Sequence, residues 1–237
     1  MSYTEHAPPA GLAPWVECIW ERYDDGIPIR VLPDGCIDVV WIQGAGAHFV
    51  GANSVAFMVA LTPGAHAIGA RMHPGAAAAL LRDVVQPEAL RDAEVGLGSL
   101  WPGDGERLDE ALTAAVDPVA ELRRGLLGQA ARAAAPEALV SEAVRRLRAS
   151  PAVRVVEVAD GLGVSERQLR RRVRAGVGYG PKRLARVFRL QRALGAARAG
   201  EELAAAAFSA GYVDQAHFSG ECRALAGVSP SGLLRAG

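Results

Sequence analysis

Four arginines, Arg167, Arg170, Arg171 and Arg174, stand at i, i+3, i+4 and i+7 in the stretch SERQLRRRVRA. Helical periodicity gathers them on one face and sends Leu169 and Val173 to the opposite one. A guanidinium is a planar fork of donors that fits guanine O6/N7 or a phosphate oxygen, so this face suits a nucleic acid, through bases or backbone. The competing reading is a solvated arginine-rich surface. Of the 26 basic residues 25 are Arg and only Lys182 is Lys, so the position of an arginine carries more than its presence.

The elements that would hold these arginines repeat. Residues 155–161 read as a short helix, Gly163-Val164 as a turn and 165–174 as a second helix, opened by Ser165 with Gln168 three residues on, a capping-box arrangement. After Gly178-Tyr179-Gly180 a 19-residue helix, 181–199, spans roughly 28 Å at 1.5 Å per residue. The short unit then recurs as 201–210, a turn at Gly211-Tyr212-Val213, and 214–225 capped by Asp214. Ala159, Gly163 and Leu169 answer to Ala207, Gly211 and Phe218: a small residue where two helices cross, a glycine able to take positive φ, and an apolar anchor. The turn glycines lie 48 residues apart. One such match would be weak in an alanine-rich chain; a tandem pair joined by a long helix is not.

Residues 136–237, with VVEVADGLGVSERQLRRRVRAGVGYGPKRL, ELAAAAFSAGYVDQAHFSGECRALAGVSPSGLL and the Gly227–Pro230 close, resemble the DNA-binding domain of the AraC/XylS family of bacterial transcription regulators. The resemblance implies two recognition helices entering successive major-groove segments of double-stranded DNA, and an RNA polymerase contact if the protein is an activator. It places base-reading positions on Arg167, Arg170 and Arg171. The second unit departs from the pattern, because Phe218-Ser219-Gly220-Glu221-Cys222 stands where the family usually has Phe-Ser-Arg-x-Phe. Gln215, His217 and Ser219 remain as candidate contacts there, so the first unit is expected to supply most of the specificity.

The N-terminal half is read as short strands over 27–32, 36–43, 47–50, 54–62 and 66–72, punctuated by turns such as Pro33-Asp34-Gly35. Helices follow over 75–82, 106–116 and 118–133, with a boundary at 133–136. Residues 11–130 resemble, less specifically, a small β-rich domain found ahead of this DNA-binding module, through the motif Arg30-Val31-Leu32-Pro33-Asp34-Gly35-Cys36-Ile37-Asp38-Val39-Val40-Trp41. Cys36, Asp38 and Trp41 are the candidate effector-pocket residues, against a plain hairpin with a hydrogen-bonded Asp and a core Trp. His48, His66 and His73 lack metal-ligand spacing, and no metal or cofactor is expected. A reactive Cys36 would need a nearby cation, for which the sequence offers only Arg30. No nucleophile elbow, phosphate loop or dinucleotide fingerprint is present.

Composition bounds the rest. The chain has 237 residues, half of them hydrophobic, with three cysteines at spacings that fit neither a disulfide framework nor a metal site. No apolar run is long enough to cross a membrane and no secretory leader is evident, so a cytoplasmic protein is expected. The formal net charge of zero conceals two unlike halves: residues 1–140 carry 9 basic against 18 acidic groups, and residues 141–237 carry 17 against 8. Such asymmetry points the C-terminal half at a polyanion.

The expected fold is α+β. A β-rich sheet, small barrel or cupin-like domain with helices over 1–135 senses an effector or dimerises, and an all-α tandem helix-turn-helix domain over 136–237 binds DNA alone. A small-molecule effector in the first domain and a homodimer formed through the apolar stripe of the 106–133 helices are the accompanying expectations. The alternative is a cupin-like enzyme or ligand-binding protein with a structural helical appendage, for which a cationic helical half has no use.

Overall fold

The structure, a computed structural model, describes residues 2–82 and 84–235. The expected domain ranges also take in residues 1, 83, 236 and 237, which lie outside the described residues. The strands are β1 (Ser2–His6), β2 (Val16–Tyr23), β3 (Ile29–Val31), β4 (Asp38–Ile42), β5 (Gly46–Val50), β6 (Phe57–Val59), β7 (His66–Met72) and β8 (Glu94–Gly96). Six of them form one antiparallel sheet in the order β1-β2-β7-β4-β5-β8, and β3 pairs with β6 as a separate two-stranded strap. The arrangement is an open sheet, with β1 and β8 at its edges, rather than a closed barrel.

Strands β1, β2 and β8 were not expected from the sequence. Burial explains β2: its even residues Cys18, Trp20 and Arg22 face one side and its odd residues Ile19 and Glu21 the other, and both sides are covered. An apolar/polar alternation is therefore missing from the sequence.

Helices α1 (Ala77–Leu81), α2 (Leu97–Leu100), α3 (Asp104–Ala114) and α4 (Pro118–Ala130), with a 3-10 turn at Pro87–Leu90, follow or interrupt the sheet. One sheet face buries Ile19, Val39, Trp41, Phe49, Ile68 and Ala70 in the same cluster as Leu108, Leu112, Leu122 and Leu126 of α3 and α4. Fully burying a leucine is worth about 2 kcal/mol, so this is where the stripe's free energy goes. The expected dimer surface is thereby corrected: Leu112, Leu122 and Leu126 are each 0% exposed inside the monomer and are not available to a second chain.

The chain continues with α5 (Ala138–Ala149), α6 (Val155–Asp160), α7 (Glu166–Val177), α8 (Pro181–Arg198), α9 (Leu203–Ser209), α10 (Gln215–Ala226) and α11 (Pro230–Arg235). One hydrophobic cluster runs from the sheet through α5, α6 and α7 to Phe188 in the first half of α8. A second runs from Leu190 through α9 and α10 to Leu233. The segment 131–137 carries no helix or strand, yet the first core passes beneath it. No helix among the described residues is long and apolar enough to cross a membrane.

Candidate nucleic-acid interface

Helix α7 starts where the capping chemistry says it should. Ser165 Oγ accepts from the Gln168 N–H at 3.2 Å, and Gln168 Oε1 accepts from the Ser165 N–H at 2.9 Å. Gly163 turns the chain at φ 66° before it. Ala159, Leu169 and Val173 are fully buried, which pins the helix and fixes its outward face. Arg167, Arg170, Arg171 and Arg174 all lie on the exposed side.

The four are not equivalent. Arg174 forms a short ion pair with Glu88, in the 3-10 turn of the β domain, and Arg172 pairs with Glu137 at 2.9 Å. The Arg174 contact holds Glu88 below the usual carboxylate range. Among the described residues Arg167, Arg170 and Arg171 have no ion-pair partner. Three guanidinium groups on a rigid helix face are thus left for an external anion or base edge. Arg174, on the same exposed face, also ties the C-terminal end of α7 to the β domain.

The second unit reuses the design with other chemistry. Asp214 Oδ1 accepts from the His217 N–H at 2.7 Å, Gly211 turns at φ 81°, and Ala207 and Phe218 are fully buried. Gln215 and His217 are exposed and Ser219 half-buried. His217 stands edge-on to the Tyr212 ring at 5.2 Å. Glu221 is bound bidentately by Arg186 of α8, at 2.8 and 2.9 Å, and this pairing lowers its pKa. Only Arg223 adds positive charge to α10, so its face carries far less positive charge than that of α7. Cys222 is fully buried in the position where the family pattern has Phe.

Behind the second unit lies the strap. Ala56, just before β6, donates its N–H to Leu225 O at 2.7 Å, and Arg30 Nη1 of β3 donates to Ala226 O at 3.0 Å. Both acceptors are in the last turn of α10, whose final carbonyls a helix leaves unpaired. Leu32 and Ala56 pack on the second core. Helix α8 is held from the same side, by Gln191 Nε2 donating to Pro33 O at 2.7 Å and by a short bond from Arg183 to Ser54 O.

The opposite surface of the strap and the second face of the sheet line a partly open cavity of about 450 Å3. Strand pairing sets its floor: Asp38, Val40 and Ile42 of β4 align with Arg71, Gly69 and Ala67 of β7, and these in turn with Cys18, Trp20 and Arg22 of β2. A Cβ on Gly69 would come within 2.3 Å of the Trp20 ring, so glycine is what lets the indole lie across the floor.

Of the three candidate pocket residues, Cys36 and Asp38 line this cavity. Trp41, three residues along the same strand and so on the other face, lines a separate cleft with His66 and Thr113, and its indole N–H reaches Thr113 Oγ1 at 3.4 Å. That odd spacing was the signal in the sequence that could have separated them. Trp20 and Arg71 belong to the cavity and were missed, because neither is near Asp38 in sequence.

Trp20 Nε1 donates to Asp38 Oδ2 at 3.0 Å. Burial pushes the Asp38 carboxyl up to about 7, against the pull of Arg71 and with the help of Asp34. The Cys36 thiol is raised well above its usual value by burial, then by Asp34 and Asp38. The cation beside it is Arg71, not Arg30, and burial with Asp34, Asp38 and Glu17 outweighs it, which favours the protonated thiol. Elsewhere His66 bonds Glu21 at 2.8 Å and stacks on Tyr23, while His73 bonds Ala13 O at 3.2 Å. Among the described residues no three metal-binding side chains converge.

With the geometry in hand, similarities to known proteins fall into place. A family described as a helix-turn-helix domain matches residues 158–236, and a domain of unknown function, DUF6597, matches residues 4–95. No sequence among the curated proteins matches the chain. Among solved structures, an apo, singly substituted form of ToxT from Vibrio cholerae strain SCE256 is similar at 11% identity and TM-score 0.52, over 92% of this chain and 97% of that one. A second ToxT structure from Vibrio cholerae gives 11% identity and TM-score 0.50, over 99% and 98%. At that identity the likeness speaks for the fold alone. The chain therefore carries a helix-turn-helix domain at its C-terminus, behind an antiparallel β-sheet domain, in a fold similar to that of ToxT.

Proposed function

We propose that this protein is a sequence-specific regulator of transcription. In this reading the part up to residue 135 senses a small molecule, the part from 136 onward binds duplex DNA, α7 reads it through Arg167, Arg170 and Arg171, and α10 positions the second contact through Gln215, His217 and Ser219. The observation that carries the reading is the set of three unpaired guanidinium groups on a capped, core-pinned helix. Most other arginines of the first unit and its neighbours are paired: Arg145 and Arg146 with Glu142, Arg148 with Glu17, Arg154 with Glu157. Control by a ligand is supported by the strap, since its strands line the cavity on one side and bond to the end of α10 on the other. A molecule that displaces β3 or β6 has a direct mechanical route to the second recognition helix.

Because the first unit shares its core with the sheet, the test uses the full chain rather than a fragment from residue 136. Fluorescence anisotropy with duplexes from the protein's own promoter region should show binding that weakens steeply from 50 to 200 mM salt, with a log–log slope of about −0.9 for each phosphate neutralised. Binding that is absent, or insensitive to salt, at every sequence tried rejects the proposal.

A further inference from the structure

The cavity's charges are unevenly matched. Arg71 serves three carboxylates at once: Glu5 at 3.3 Å, Asp34 at 3.3 Å and Asp38 at 3.9 Å. The other guanidinium in the lining, Arg22, is already neutralised by Asp24, both side chains being almost wholly buried. Glu94 adds a further negative group to the wall. An anion entering this space would face surplus carboxylates, whereas a cation would relieve them.

The body of the cavity is apolar, walled by Val31, Val40, Ile42, Phe57 and Val59. Its volume lies within the range of drug-sized ligand sites, about 300–1,000 Å3. We infer that it takes an amphipathic cation, a molecule with an apolar body set between sheet and strap and a protonated amine set against Asp38 and Asp34.

Three features sharpen the choice of head group. The aromatic rings of Trp20, Tyr3 and Phe57 are among the lining of the same space, and ring faces attract desolvated cations. Asp38 is faced by Arg71 from β7, by Asp34 and Cys36 from the preceding turn, and by Glu17, Cys18 and Trp20 from β2. Burial holds its carboxyl partly protonated near neutrality. A positive group beside it supplies the partner that keeps it ionised. At the other polar end, Arg22 Nε is buried and has no hydrogen-bond partner among the described residues. That end offers no free cation to an acidic head group, because Asp24 already holds the guanidinium.

This inference rests on the reading of the cavity as the effector site, and it is tested by direct binding, independently of DNA. Titration calorimetry of the full chain at pH 7.5 with decylamine, decanol and decanoate, each below its aggregation concentration, compares one tail under three heads. The amine should bind at least tenfold more tightly than the alcohol, and the acid more weakly than either. An Asp34→Asn/Asp38→Asn double variant should lose at least tenfold for the amine and stay within twofold for the alcohol. Val59→Trp, which fills the cavity, should abolish all three, with circular dichroism and an unchanged melting temperature reporting an intact fold.

Equal affinities, tighter binding of decanoate, amine binding that survives Val59→Trp, or no binding of any probe overturns the inference. If the amine binds as expected but leaves DNA affinity unchanged, the effector reading falls and the ligand class stands. If no probe binds while salt-sensitive DNA binding persists, the ligand class falls alone.

Discussion

In the first helix-turn-helix unit, Ala159, Leu169 and Val173 belong to the core that continues into the β-sheet domain; in the second, Ala207, Phe218 and Cys222 belong to a cluster whose buried members run from Leu190 to Leu233, with Leu32 and Ala56 of the N-terminal half packed against it. The outward faces differ in parallel. Helix α7 offers three unpaired arginines, while α10 offers small polar groups and spends Glu221 on Arg186. The unit with the charge is the one whose core continues into the sheet. The unit with the weaker face hangs on α8 and the strap. On the proposed reading the difference is a division of labour: affinity would sit where the helix shares the core of the sheet, and adjustability where the strap meets α10.

The largest effects should come from the two apolar anchors. Phe218→Ala removes a fully buried ring from the small core and should cost about 3–5 kcal/mol, and Leu169→Ala about 2–5 kcal/mol. The consequences should differ in extent. Loss at Phe218 should raise amide exchange from Leu190 onward and leave the sheet protected, whereas loss at Leu169 should lower the melting temperature of the whole chain. Uniform exchange in both variants would show one cooperative unit and end the comparison.

That separation of cores was only partly legible in the sequence. The tandem turns, their caps and their anchors could all be read, because each depends on residues within a dozen positions: Ser165 with Gln168, Asp214 with His217, Gly163 and Gly211 at positive φ. What joins distant segments could not be read. Strand β2 is covered on both faces and has no alternation, the bond from Ala56 to Leu225 closes 169 residues, and Arg71 meets Asp38 across two strands. The stripe on α3 and α4 was visible, but a stripe does not say what covers it, and here the sheet of the same chain does.

Next in size are the arginines. Arg170→Ala or Arg171→Ala should weaken specific DNA binding by roughly 1–3 kcal/mol if the side chain reads a base, and should weaken all sequences alike if it meets a phosphate. Gln215→Ala and His217→Ala should each cost less than about 1 kcal/mol. Anisotropy against the operator and a scrambled duplex separates these outcomes, and an α10 substitution as costly as one on α7 would break the division of labour.

The strap comes after. Ala56→Pro removes the N–H that Leu225 O accepts, and Arg30→Ala removes the donor to Ala226 O; each loss is worth about 0.5–1.5 kcal/mol. Amide exchange in α10 should rise several-fold in either variant while α7 keeps its protection. Equal loosening of both helices, or of neither, would show that the strap does not set the freedom of the second unit.

The smallest expected effect is a gain. Gly220 is exposed on α10, and a Cβ built there meets nothing within 4 Å, so a side chain costs no packing and extends from the helix. The position follows Ser219 and lies one turn on from His217, in the place where the AraC/XylS pattern carries an arginine. Gly220→Arg should stabilise the helix by about 0.5–1 kcal/mol through propensity alone. If α10 faces DNA, the added guanidinium should tighten binding by roughly 1 kcal/mol and, when it meets a phosphate, steepen the salt slope by about 0.9. These two gains come apart in the measurement. A raised melting temperature with unchanged DNA affinity means that α10 does not approach the duplex, and the second unit is then a structural partner of α8. A gain in both restores to the weaker unit the contact it lacks, and shows that its face was turned to DNA all along.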